Sequence, residues 1–264
     1  MPTLDQMLGE VPGFGRCGTC PYRESGSPLL CFTCARRRMT ELAPEEHRCM
    51  VCDREFEAGK EACNNPVCNW TDRQFEWNYA VALKDGPLEQ AIYRHKYDGR
   101  RAWAIIFGRV LLGFVEQNRD VFASFDLIVA SPTFTGRGGR TFDHTRAVLA
   151  QAARESAPGR WPFDLVEPAA ITKVKLAPKL MEQKSMSDRR TVARTQLRDS
   201  LLVPEPERTQ GLRILVYDDV FTTGLTLNEV ARALRLQGGA SSVCGVSLAR
   251  AVYRGSRAPM PTPF

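Results

Sequence analysis

The chain has 264 residues, 25% of them charged and 43% hydrophobic, with 36 Lys/Arg against 30 Asp/Glu for a net charge of +6. That composition is ordinary for a globular protein, and the length allows one large domain or two unequal ones. No apolar stretch approaches the roughly 18 residues of a membrane span, and the N-terminus, MPTLDQMLGEVPG, lacks a basic region followed by an apolar core. Neither a membrane span nor a secretory signal is expected, and the expected location is cytoplasmic.

Charge is unevenly placed. Residues 1–72 hold 8 Lys/Arg and 11 Asp/Glu, whereas the remainder holds 28 and 19. The most basic segment, 171–198, carries Lys173, Lys175, Lys179, Lys184, Arg189, Arg190, Arg194 and Arg198 against Glu182 and Asp188. Such an excess suits a polyanionic partner, either a pyrophosphate-bearing small molecule or a nucleic acid, or else a solvated helix face.

Eight of the nine cysteines lie in residues 17–68. Cys17/Cys20, Cys31/Cys34 and Cys49/Cys52 are C-x2-C pairs, and Cys63/Cys68 is a C-x4-C pair. The spacing from Cys17 to Cys49 is repeated from Cys20 to Cys52 and from Cys31 to Cys63, an internal repeat of 32 residues. Paired thiolates at this spacing suit tetrahedral zinc, and all-thiolate sites leave no open position for a catalytic water. Two structural zinc sites are therefore expected, Cys17–Cys20–Cys31–Cys34 and Cys49–Cys52–Cys63–Cys68, with cross-braced pairing left open. A cytoplasmic location argues against disulfides, and the ferredoxin spacings of an iron–sulfur cluster differ. His47 reads as an exposed side chain rather than a ligand. The ninth cysteine, Cys244, reads as a packed core residue.

A domain boundary is placed at 72/73, with a double four-cysteine region over 1–72 and an α/β domain over 73–264. From about Phe75 the pattern alternates helix and strand, which indicates a mainly parallel sheet flanked by helices. Helices are expected at Leu88–Tyr97, Ala102–Gln117 and from about Asp143 to Glu155. A buried strand is expected at Phe125–Ala130, and another within Asp164–Val174. Arg94, Lys96, Arg100, Arg101 and Trp103 form a basic-aromatic cluster suited to single-stranded DNA, unless Tyr93, Tyr97 and Trp103 pack inward. After the Phe125–Ala130 strand, the loop Ser131–Arg140 combines Gly136, Gly138 and Gly139 with Arg137 and Arg140, a composition that suits a pyrophosphate or a plain surface turn.

The most informative stretch follows. An apolar strand over 212–217 ends in Asp218 and Asp219, a loop holds Thr222, Thr223, Gly224, Leu225 and Thr226, an amphipathic helix spans 226–237, and a second apolar strand spans 242–249. Backbone N–H groups at that helix start favour an anion, Gly224 permits close approach, and threonine hydroxyls add donors. The two carboxylates suit hydroxyl donors or magnesium instead. Ribose 5-phosphate satisfies both ends.

Asp218-Asp219-Val220-Phe221-Thr222-Thr223-Gly224-Leu225-Thr226 resembles the phosphoribosyl pyrophosphate (PRPP) motif of type I phosphoribosyltransferases. The resemblance implies ribose binding by Asp218 and Asp219 and 5-phosphate binding by Thr222 to Thr226. With the cysteine finger, His95-Lys96-Tyr97-Asp98-Gly99-Arg100, Asp126 to Pro132, Arg140-Thr141-Phe142-Asp143-His144 and Arg189-Arg190, the whole chain resembles the ComF family, phosphoribosyltransferase-fold proteins associated with bacterial DNA uptake and competence. That resemblance implies a pyrophosphate site at Ser131, Pro132 and Thr133, covered by a basic hood bearing Lys179, Lys184, Arg189 and Arg190, with magnesium accompanying PRPP. It also implies single-stranded DNA and DNA-uptake proteins as partners. The chain departs from the family in having two fingers, in Val129-Ala130-Ser131-Pro132, and in Arg140 to His144. Purine transferases of this fold carry a loop aspartate where this chain has Thr222, so no catalytic base is identified and the acceptor is open.

Overall fold

The computed structural model describes residues 31–57, 59–60 and 62–252. The pair Cys17/Cys20 lies outside them. In chain order the principal elements are α1 (Phe32–Arg36), β1 (Asn78–Lys84), α2 (Gly86–Lys96), α3 (Trp103–Gln117), α4 (Arg119–Phe122), β2 (Leu127–Ala130), α5 (His144–Glu155), β3 (Thr172–Lys173), α6 (Met186–Val192), β4 (Leu201–Leu202), β5 (Arg213–Phe221), α7 (Leu225–Leu236) and β6 (Ser242–Ala251). Four strands form one sheet in the order β1-β6-β5-β2, every pairing parallel. The short β3 and β4 pair antiparallel in a separate ribbon.

Central strands of a parallel sheet are covered on both faces, and their residues alternate between them. Leu215 and Tyr217 of β5 join a core with α2, α3 and α5, while Ile214 and Val216 join a second core with α7. Helix α3 follows from its sequence: nine of its residues, including Trp103, Phe107 and Val110, are buried. Gly108 lets α3 and α5 meet closely, since a β-carbon there would lie 2.8 Å from Ala152 N and Gln151 Cβ. Asp143 caps α5, accepting from Arg146 N at 3.0 Å.

The cysteine-bearing segment packs into both cores. Cys31, Ala35 and Met39 belong to the first; Cys49, Cys52, Val67 and Phe75 belong to the second.

Two expectations are corrected and one element is new. Strand β5 does not end at Tyr217 but continues through both aspartates to Phe221, because β6 keeps pairing with it through Asp218↔Ser247 and Phe221↔Arg250. Helix α7 begins at Leu225, after Gly224 in the left-handed region at φ 84°. The edge strand β1 was not anticipated. Among the described residues, no helix is long and apolar enough to cross a membrane.

Leu215 is fully buried in the central strand. Leu215→Ala is expected to lower unfolding free energy by about 2–5 kcal/mol, measured by urea denaturation; a loss below about 1 kcal/mol would place this strand outside the core.

Candidate functional site

Strand β2 stops at Ala130, paired with Tyr217, while β5 runs four residues further beside β6. Ser131 N still donates to Tyr217 O at 2.7 Å, and the chain then turns away. The carboxyl ends of β2 and β5 diverge there, the position of the crevice in an open α/β sheet. The helices that follow these strands, α5 and α7, belong to different cores on opposite faces. Open α/β sheets bind ligands at such a switch in strand order.

Asp219 is buried at 5% exposure, on the side of α2 and α5. Lys96, the last residue of α2, reaches its two carboxylate oxygens at 2.8 and 2.6 Å. His144 Nε2, from the first turn of α5, lies 3.2 Å from Asp219 Oδ2, within ion-pair reach though not aligned as a hydrogen bond. Burial works to raise the Asp219 carboxyl, but the Lys96 ammonium and then His144 outweigh it and hold it well below the usual carboxylate range. Asp218 is half-buried and accepts from Asp219 N at 2.9 Å. Burial, and next the Asp219 charge, push its carboxyl up to about 7. The adjacent acids therefore differ: one is a fixed counter-ion, the other a carboxyl poised near neutrality.

The rim is ordered by side chain to backbone bonds. Thr133 Oγ1 lies 3.2 Å from His144 Nδ1, and Thr145 Oγ1 donates to Ser131 O at 2.6 Å. Arg140 donates to Lys96 O at 2.7 Å and lies over the Tyr97 ring at 4.9 Å. Lys173 sits near Arg140, its ammonium pushed down by burial and then by the Arg140 charge.

Beyond Asp219 the loop turns into α7. Thr222 is exposed, Thr223 and Thr226 are half-buried, and Gly224 and Leu225 are buried. A β-carbon on Gly224 would lie 2.7 Å from the Phe221 ring and 3.0 Å from Val67. Glycine is thus required by the left-handed turn and by a neighbour from the cysteine segment.

That segment carries a candidate metal centre. The sulfur atoms of Cys49, Cys52, Cys63 and Cys68 all lie within 4.8 Å of one another, with Cys49–Cys68 and Cys52–Cys63 at 3.7 Å. A tetrahedron with edges of that length has its centre about 2.3 Å from each sulfur, the zinc–thiolate bond length. Val51 N donates to Cys49 Sγ and Asn65 N to Cys63 Sγ, both at 3.4 Å, as suits thiolates. The four cysteines can hold a metal ion, and the geometry fits zinc. The third pair joins the fourth, so cross-bracing does not apply here. Hydrogen bonds from Cys49 first, then Cys63 and Cys68, hold the Cys52 thiol far down, and Arg250 adds to this.

Arg250 joins the two places. It is 3% exposed and donates to Cys52 O at 2.7 Å, Phe221 O at 2.9 Å and Thr222 O at 2.7 Å, with Nη2 3.8 Å from Cys52 Sγ. Asp53, left-handed at φ 56°, braces the same corner. It accepts from Ala80 N at 2.6 Å and pairs with Arg48 at 3.0 Å, and burial pushes its carboxyl up to about 6.

Other sequence-predicted residues lie elsewhere. Lys179 pairs with Glu182 at 2.9 Å, Lys184 is exposed, and Arg189 donates to Gln183 O at 3.3 Å. Arg190 and Arg194 stack on Trp70 of the cysteine segment at 4.3 and 5.0 Å, with Arg194 paired to Asp72 at 2.6 Å. None of Lys179, Lys184, Arg189 and Arg190 is paired with Asp218 or Asp219 among the described residues. The basic-aromatic cluster also divides: Trp103 is 1% exposed and stacks on Phe107, so it offers no base platform, whereas Tyr93 and Tyr97 are 57% and 42% exposed. Cys244 is buried and His47 exposed, as expected. Sequence reasoning assigned no role at the aspartate pair to His144 or Arg250, and placed Lys96 on a DNA surface; the first two gave no local clue beyond their residue type.

No family model matches this chain, and no curated protein matches it.

Between the ordinary carboxylate range and about pH 7, folded Asp218 holds a proton that the unfolded chain has lost. Its cost to stability therefore grows as pH rises through that window and is complete above it. Asp218→Asn is expected to raise unfolding free energy by about 1–3 kcal/mol near pH 8 and by nothing near pH 3.5, measured by denaturant titration at both. With zinc bound at the four cysteines, its removal by a chelator, or Arg250→Gln, is expected to speed amide exchange at residues 221–226 by about tenfold or more, read by hydrogen-exchange mass spectrometry.

Proposed function

We propose that the crevice between β2 and β5 binds a ribose phosphate, PRPP with magnesium being the best fit, in a type I phosphoribosyltransferase-like domain. The observation that carries this reading is the path of β5. It passes its neighbour β2, presents the half-buried Asp218, and turns through left-handed Gly224 into the N-terminus of α7. Carboxylate and helix N-terminus stand at the two ends of one short loop. A sugar hydroxyl suits the first and a 5-phosphate the second. The motif resemblance places Thr222, Thr223, Gly224, Leu225 and Thr226 on that phosphate.

The structural details refine the roles. Asp219, spent on Lys96 and His144, positions the crevice wall; Asp218 is the acid left to meet a diol or magnesium. Ser131, Pro132 and Thr133 would line the side where pyrophosphate leaves, with Lys96 on Asp219 and Arg140 on the Lys96 carbonyl as cations at the same end of the sheet. Transfer to an acceptor would need the leaving group neutralised and water excluded. Lys179, Lys184, Arg189 and Arg190 would have to move from their present partners to contribute. The cysteine centre would act as a structural zinc site that braces the loop through Arg250 and Val67.

A second reading is single-stranded nucleic acid binding in a DNA-uptake role. It is favoured by the exposed Tyr93 and Tyr97 beside Arg140 and weakened by the burial of Trp103. Steep salt dependence of binding would mark it.

Calorimetric titration of PRPP with magnesium is expected to show one site on the full chain and at least about tenfold weaker binding for Asp218→Ala, a loss on the scale of one charge-assisted hydrogen bond. Equal binding by wild type and variant would remove Asp218 from the site, and no binding by either would remove the ribose-phosphate reading.

A further inference from the structure

Thr133, His144 and Asp219 form a chain across the crevice floor: hydroxyl to Nδ1 at 3.2 Å, and Nε2 to carboxylate at 3.2 Å. His144 is 4% exposed and Asp219 5%. Thr133 is half-buried at the mouth. An imidazole has two nitrogens and a hydroxyl one proton, so the states can be counted. A neutral ring with its proton on Nδ1 would aim the Nε2 lone pair at the Asp219 carboxylate, which is repulsive. The neutral form therefore carries its proton on Nε2. Its Nδ1 then accepts from Thr133, whose proton points inward and whose lone pairs face the crevice. The protonated ring reverses this: Nδ1–H donates to Thr133 Oγ1, and the hydroxyl proton is free to point outward.

The charged and titratable groups around His144 come from three elements. Asp219 of β5 favours the cation, as does Asp143, the cap of its own helix, whose Oδ2 also lies 3.4 Å from Thr133 N. Lys96 and His95 of α2 oppose it. His95 Nε2 lies 3.1 Å from the His144 carbonyl and its Nδ1 3.2 Å from Arg100 O, so α2 also holds the His144 backbone.

We propose that His144 is a positioning residue whose protonation turns the Thr133 hydroxyl outward as a donor to an anionic phosphoryl oxygen at the 131–133 turn. Anion binding there is then linked to uptake of a proton by His144. In the neutral state the same hydroxyl presents lone pairs and repels that anion. This inference rests on the ribose-phosphate reading and adds a specificity determinant to it.

The test uses the full chain with its metal and inorganic pyrophosphate plus magnesium as the probe. Binding is titrated by calorimetry from about pH 6 to about pH 8.5, in buffers of different protonation enthalpy. Comparing wild type with His144→Asn at each pH cancels the titration of pyrophosphate itself. Wild type is expected to take up more protons per bound pyrophosphate than His144→Asn, and its affinity to fall more steeply, by up to about tenfold more per pH unit, as pH rises. Thr133→Val, nearly isosteric and with His144 intact, is expected to lose the extra proton uptake and about five- to tenfold of the affinity near pH 6, while Thr133→Ser keeps both. Should His144→Asn fail to fold, the Val and Ser variants carry the test alone. Proton uptake equal in wild type and Thr133→Val, with binding retained, overturns the inference and leaves the ribose-phosphate reading standing. Absence of pyrophosphate binding by wild type at every pH overturns both.

Discussion

A buried guanidinium holds this molecule's parts in register. Arg250, one residue from the end of β6, sits between the cysteine centre and the turn at the end of β5. A cation withdrawn from water needs hydrogen bonds for its protons and negative charge nearby. Carbonyls of Cys52, Phe221 and Thr222 supply the first, and the Cys52 sulfur the second. A four-thiolate zinc group would carry a net charge of about −2, so charge and counter-charge would be buried together. The carbonyls that satisfy Arg250 belong to the knuckle on one side and the glycine-led loop on the other. Neither can shift without leaving the guanidinium unsatisfied.

The same economy explains the two aspartates. Inside a strand, neighbouring side chains face opposite sides of the sheet. Asp219 falls on the side of α2 and α5, where Lys96 and His144 surround it; Asp218 does not, and its carboxyl rises toward neutrality. A pair that looks equivalent in one dimension becomes a fixed anion and a titratable group. The contact from Lys96 also ties the end of α2 to the crevice, and Arg140 clasps the Lys96 carbonyl from the opposite loop.

The basic segment shows that a run of charges can find partners within its own chain. Its arginines find partners within the chain: Arg190 and Arg194 both lie over the Trp70 ring, and Arg198 pairs with the buried Glu229. Stacking over an indole and pairing with a carboxylate stabilise a guanidinium as well as a bound anion would. The segment therefore seals the cysteine region against α7 in this structure.

Much was legible in one dimension because its physics is local. Helices α2, α3, α5 and α7 announce themselves by apolar spacing, and the β5-loop-α7-β6 unit by strand, breaker and helix in succession. The Cys49, Cys52, Cys63 and Cys68 centre is equally local, since a tetrahedral ion selects short paired spacings. Strand β1 was not legible: Asn78, Ala80, Ala82 and Lys84 have little strand preference, and only pairing with β6 makes NYAVALK extended. The length of β5 was likewise decided by β6, which offers partners beyond the point where aspartates would end a strand. What the sequence by itself determined is the α/β class, the clustering of thiols and the position of the aspartate-threonine-glycine loop. Only the tertiary structure decided which aspartate is engaged, that Lys96 and His144 engage it, and that Arg250 bridges knuckle and loop. Those choices join residues from about 28 to nearly 200 positions apart, and no local propensity encodes a contact whose partners meet only when the sheet has formed.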